Sequence, residues 1–204
     1  MSDHRQLVLT PEPRSAKARR PVYAHAILHA RATLDVTPAG VVAVVDGVRV
    51  PLTLAERAAR QLAATPPVPG QMYQISLWPR TTQDGVLEEQ PVLFQVMLAK
   101  AADTKPRLDV AGTVGAVLKE EGLLVVRIDP NTRSNLAQPF ALHLWTPLEG
   151  LERQYVGRTV QVYGEWRPRS GRLVATSARQ VDVESARKQG PHDGHGAGEE
   201  KQAS

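Results

Sequence analysis

The sequence predicts an all-β protein with short helices, built from two five-stranded units in tandem. Three observations predict it. The hydrophobic fraction is 42% but aromatics are only 4%, so Val, Leu, Ala and Ile must form the core. Valine falls in alternating runs, the pattern of strands rather than helices. The same order of strands, turns and a helix-start signal occurs twice.

The second unit shows the order most clearly. Leu108–Lys119 is a long apolar run interrupted by Gly112 and Gly115, and Glu120–Gly122 is a tight turn. Leu123–Asp129 is a second strand, with Leu124, Val126 and Ile128 on one face. A polar loop, Pro130–Pro139, leads to a third strand, Phe140–Trp145. Thr146-Pro147-Leu148-Glu149 then matches a capping box with proline at the first helical position, so a short helix to about Tyr155 is expected. Arg158–Arg167 alternates as a fourth strand, Pro168–Gly171 reverses the chain, and Arg172–Val183 is the fifth.

The first unit follows the same plan. Ala24–Val36 is a long strand, and Thr37–Gly40 is a turn. Val41–Val45 and Val48–Leu52 flank Asp46-Gly47, a strong hairpin signal. Thr53 and Glu56 form a second capping box, and Leu54, Ala58 and Leu62 recur at helical spacing up to about Ala64. Gln71–Trp78, the turn Pro79–Gly85 and Val86–Leu98 close the unit. Residue matches support the repeat: Thr53/Glu56 with Thr146/Glu149, Gly70 with Gly157, Gln74 with Gln161, and Trp78-Pro79-Arg80 with Trp166-Arg167-Pro168-Arg169.

The expected organisation is a disordered basic arm over 1–21, units over 22–99 and 107–183, a linker over 100–106 and a disordered Gly-rich tail over 184–204. Strand, strand, strand, capped helix, strand, strand resembles the OB fold, a five-stranded Greek-key barrel with a helix between strands three and four. A glycine-bearing first strand suits that fold, because the strand must bend to pair at both ends of the barrel. Two such units in tandem resemble the tandem-OB single-stranded-DNA-binding proteins of some bacteria. This chain departs from them at Glu199–Ser204, which lacks an acidic, apolar-tipped peptide. An SH3-like barrel or an unrelated β-sandwich stays open.

The resemblance implies a ligand on the outer face of strands two and three, flanked by the loops joining strands one–two and four–five. Alternation then selects the outward residues. In the second unit these are Val125 and Arg127, Ala141, His143 and Trp145, and Gln161, Tyr163 and Arg167. Arg133 lies in the long loop, and Arg169 and Arg172 lie at the strand four–five turn. The first unit offers Arg49 and Arg80, with Trp78 either exposed or packed on the second unit. Cations beside an indole suit single-stranded nucleic acid, whose bases stack on aromatic faces while phosphates meet positive charge. Trp145 has an alternative as packing at the end of its barrel or between the barrels, since a lone Trp is more often packing than platform.

Charge agrees with a polyanionic ligand. The formal net charge is +4. Residues 1–21 hold five basic and two acidic side chains, residues 22–99 five and six, and residues 106–183 ten and eight. Arg14, Lys17, Arg19 and Arg20 of the arm either clamp phosphates or form a solvated tail. There is no cysteine, so disulfide and thiolate chemistry are excluded, and no apolar run is long enough to span a bilayer. Without a signal peptide, the expected location is cytoplasmic.

No P-loop, dinucleotide fingerprint or nucleophile elbow occurs. His25 and His29 share a strand face without the acidic neighbour of a zinc helix, and His192 and His195 lie in the Gly-rich tail. Glu88–Glu89 and Glu120–Glu121 are sequence neighbours that point apart on a strand. The expectation is therefore a non-enzymatic protein without cofactor or metal, binding single-stranded DNA or RNA, with DNA favoured. The alternative is a protein-interaction adaptor using OB barrels as a scaffold, with the first unit holding a protein partner or a second copy.

Overall fold

The computed structural model describes residues 9–10, 22–99, 105–131, 136, 138–146 and 155–184. In chain order the elements are β1 (Leu9–Thr10), β2 (Val22–Tyr23), β3 (His25–Thr37), β4 (Gly40–Val45), β5 (Val48–Leu54), α1 (Glu56–Ala64), β6 (Tyr73–Trp78) and β7 (Val92–Leu98). They continue as β8 (Arg107–Leu118), β9 (Leu123–Ile128), β10 (Phe140–Trp145), β11 (Thr159–Arg167), β12 (Arg172–Gln180) and β13 (Val183–Glu184). The protein is predominantly β, and eleven strands join in one large sheet. No helix among the described residues is long and apolar enough to cross a membrane.

Within each half the long first strand has two sets of partners. β3 pairs antiparallel with β6 over Leu28–Ala32 and with β4 over Thr33–Thr37. β4 pairs with β5, β5 runs parallel to β7 at Thr53 and Leu54, and β7 pairs with β6. The second half repeats these pairings: β8 with β11 and β9, β9 with β10, β10 parallel to β12 at Trp145↔Val174, and β12 with β11. Both fourth–fifth strand ladders shift register at one place, after Ser76 and after Tyr163, 87 residues apart. Asp46 and Gly47 both have positive φ, as the two-residue hairpin between β4 and β5 requires.

The two halves are not strung loosely on a linker. β3 pairs antiparallel with β8 from His25↔Ala111 to His29↔Arg107. β13 pairs parallel with β2, and β1 pairs parallel with β12 at Ala178 and Arg179. Arm residues Arg14, Lys17, Arg19 and Arg20, linker residues 100–104, Arg133 and tail residues 185–204 lie outside the described residues.

Alternation buries the expected faces. Leu28, Ile75, Leu77 and Leu93 of the first half are fully buried, as are Leu108, Leu124, Ile128, Leu142, Leu144 and Leu173 of the second. Each such side chain contributes about 1.5–3 kcal/mol. Both halves feed one continuous buried cluster.

Two local expectations are corrected, and a third lies largely outside the described residues. Thr53 does not cap α1: Thr53 and Leu54 are still in the parallel β5–β7 ladder, and the helix starts after Ala55, which has no side-chain cap. Thr146 is buried with its Oγ1 unpartnered, and the expected helix over 147–154 lies outside the described residues. The Trp-Pro-Arg match is out of register, because the shared shift makes Trp78 equivalent to Glu165, not Trp166. Trp78 is accordingly 43% exposed and Trp166 only 4%.

Glycine is required at one position of β8. A Cβ on Gly112 would lie 2.3 Å from the Arg127 carbonyl oxygen, whereas one on Gly115, beside the β8–β9 register shift, meets nothing closer than 3.8 Å. Urea unfolding should show Gly112→Ala destabilised by about 1–3 kcal/mol and Gly115→Ala by less than about 1 kcal/mol. Equal midpoints for the two variants would contradict a close backbone approach at Gly112.

Candidate functional site

The expected face of β9 and β10 forms in part. Register places Arg127 beside Ala141, Val125 beside His143, and Leu123 beside Trp145, all on one side. Arg127 is exposed but ion-paired with Asp129 at 3.1 Å. It sits beside Ala141, four residues from Trp145, about 13 Å along the strand. Val125, expected outside, is only 9% exposed.

The Trp145 end is engaged by the first half. The indole Nε1–H donates to the Asp84 carbonyl at 2.8 Å, and the Arg172 guanidinium lies 3.8 Å from the ring centroid. A Cβ on Gly85 would come within 2.9 Å of both Trp145 and Leu123. The His143 N–H donates to Thr81 Oγ1, the Leu87 N–H to the Gly171 carbonyl, and the Leu173 N–H to the Gly85 carbonyl. The turn between β6 and β7 thus fills the gap where β10 and β12 separate. The Arg80 guanidinium sits 3.2 Å from the Phe140 centroid, and burial lowers its pKa against the opposing pull of Glu88. His143 Nδ1 is buried without a partner.

The remaining expected residues separate into three places. Arg49 is exposed on β5 and paired with Asp35 at 3.0 Å. Arg169 is exposed in the β11–β12 turn. Tyr163 and Arg167 line an open cleft of ≈ 850 Å³ beside the β3–β8 seam, shared with His29, Lys105, Arg107 and Glu165. Gln161, expected to be solvent-facing, is buried, donating to Asp109 and accepting from Arg179.

The seam produces a surface that the sequence repeat does not display. Leu77, Leu28, Leu108 and Gly164 form one inward row across β6, β3, β8 and β11. One step to either side, side chains turn outward. The first such row is Ile27, Asp109 and Tyr163, continued by Trp78 one residue past the last β3–β6 pair, and the second is His29, Arg107 and Glu165, with Ser76 fully buried at its end beside His29. Trp78 stacks on Phe94 with centroids 4.9 Å apart and planes at 17°. Phe94 is the extra residue at the β7 register shift, one strand over from Trp78. Lys105 and Arg107 make no ion pair among the described residues, while Glu165 is neutralised by Arg167 at 2.9 Å.

Asp109 is held by a different partner. His25 Nδ1–H donates to the Tyr23 carbonyl at 2.7 Å, and Nε2 lies 3.2 Å from Asp109 Oδ1, clamping β3 to β8. Burial opposes the charge on His25, but Asp109 and the Tyr23 carbonyl outweigh it and raise the pKa above the ordinary 6.5. Burial likewise opposes ionisation of Asp109, but hydrogen bonds from His25 and Gln161 hold it below 3.8. Among the described residues, no cluster of three or more His, Asp or Glu side chains is arranged to hold a metal ion.

Sequence reasoning missed Trp78, Phe94, Lys105 and Arg107 as one surface. The available signal was the odd face of β3, where His25, Ile27, His29 and Arg31 alternate with buried Ala and Leu. No protein-family model matches the chain, and no curated protein is significantly similar to it.

The clamp predicts a pH dependence. A raised His25 pKa contributes stability fully present below about 6.5 and lost as pH rises through the folded value. A lowered Asp109 pKa contributes stability present above about 3.8 and lost as pH falls through its folded value. The stability difference between wild type and His25→Ala should therefore be largest between about pH 4 and 6.5 and shrink towards pH 9, read as the gap in urea midpoints. A gap that widens with alkalinity would contradict the clamp.

Proposed function

We propose that the chain is a non-catalytic single-stranded nucleic-acid-binding protein made of two OB-type barrels joined edge to edge. The barrel reading is supported by pairings that run in a circuit in each half. First strand pairs with second, second with third, third in parallel with fifth, fifth with fourth, and fourth with first. The second half has the same circuit. That is the Greek-key order of the OB fold.

One observation carries the functional reading: the open cleft at the seam combines an exposed tyrosine, Tyr163, with two cations, Lys105 and Arg107, that make no ion pair among the described residues. Phosphates of a flexible strand meet the cations while a base lies on the phenol ring. A duplex is a poorer fit, because its bases are already stacked and paired. A second reading, a protein-binding scaffold, is favoured by Trp145, which is tied between the halves, and by the pairing of Arg49 and Arg127 with carboxylates.

Fluorescence anisotropy with labelled single-stranded DNA, single-stranded RNA and duplex, at two salt concentrations, tests the proposal. Single strands should bind more tightly than duplex and more weakly at high salt. Each phosphate contact on a single strand adds about 0.7 to the log–log salt slope, so Lys105→Ala/Arg107→Ala should lower the slope by roughly 1.4. Binding that is absent, insensitive to salt or equal for duplex would favour the scaffold reading instead.

A further inference from the structure

We infer that the ligand-binding surface crosses the seam, with the Trp78–Phe94 stack of the first half and Tyr163 of the second serving as two base platforms for one continuous strand. The inference rests on the single-strand reading above and specifies its footprint. Trp78 and Tyr163 occupy the two ends of one outward row spanning β6, β3, β8 and β11. Three strand spacings separate them, roughly 14 Å. Both are exposed, Trp78 at 43% and Tyr163 at 39%. Between them lie Ile27, which is apolar and half-buried, and Asp109, whose charge is answered by His25.

The neighbouring row supplies the complementary chemistry. Arg107 and His29 lie on adjacent strands in register, and Lys105 precedes Arg107 at the mouth of the cleft. A strand crossing the seam thus meets an aromatic face at each end of one row and the Arg107 and Lys105 cations beside it, where Glu165 is paired with Arg167. Its sugar–phosphate chain runs across the β-strands, with bases over the Trp78–Tyr163 row and phosphates over the Arg107 row. Phe94 stacks on the indole, which is still 43% exposed, so the ring has a partner that holds its orientation and surface left for a base. Neither half alone carries both platforms. The surface also lies apart from the β9–β10 face, where Trp145 is already bonded to the first half.

Intrinsic tryptophan fluorescence tests the inference. The chain has three tryptophans: Trp166 is buried, Trp145 is bonded to Asp84 and covered by Arg172, and Trp78 is exposed. Titration of wild type with the oligonucleotides dT2 and dT8 should quench fluorescence, with dT8 binding more tightly because it reaches both platforms. Trp78→Ala should abolish the quench and weaken dT8 binding by about tenfold or more, and Tyr163→Ala should weaken it comparably while keeping the quench. Trp78→Gln serves as the second variant if Trp78→Ala does not keep the wild-type circular dichroism spectrum. Binding of dT8 that is equal in wild type and the Trp78 variants, or a quench that persists without Trp78, overturns the two-platform site while leaving single-strand binding standing. Failure of wild type to bind either oligonucleotide overturns both.

Discussion

The antiparallel pairing of β3 with β8 is the constraint on which the rest of the molecule depends. Each of these strands is the first of its half, and each already pairs with two others. Joining them aligns Leu28 with Leu108, so two five-stranded halves share one inward row and one buried cluster. The backbone hydrogen bonds fix the register, and a slip of one residue would turn the leucines to solvent and the histidines inward. The His25–Asp109 contact lies at this junction and draws on both strands. Every surface built from residues of both halves inherits its geometry from this pairing.

Much of the fold was legible in the sequence, because it rests on local periodicity. The strand β10 runs from Phe140 to Trp145 as alternation predicts, and the Asp46-Gly47 hairpin adopts the backbone that its residues favour. Errors arose where a local signal met a non-local partner. Thr53 and Glu56 have the spacing of a helix cap, but β7 claims Thr53 and Leu54 as ladder partners. Trp78 and Trp166 head similar tripeptides, but a register shift shared by both halves sends one outward and the other into the core.

The site was less legible for the same reason. Within each unit, alternation identified Tyr163 and Arg167 as outward, and the cleft contains both. It also identified Trp145 as outward, but no local pattern shows that the β6–β7 turn of the other unit meets it. The seam face is harder still, since it is assembled from β6, β3, β8 and β11, strands of two units that no local pattern brings together. Charge has a similar history. Exposed pairs such as Arg49–Asp35 and Arg167–Glu165 contribute little stability, yet they cancel much of the positive field that composition suggests.

The turn between β6 and β7 has a consequence for association. β10 and β12 touch at a single residue pair and then part, which leaves unpaired backbone donors and acceptors on both. Exposed edges of that kind recruit further strands and lead to aggregation. Thr81, Gly85 and Leu87 occupy those positions with hydrogen bonds of their own. The first half therefore acts as an edge guard for the second, so a fragment beginning at residue 105 would carry a raw strand edge into solution and would tend to self-associate.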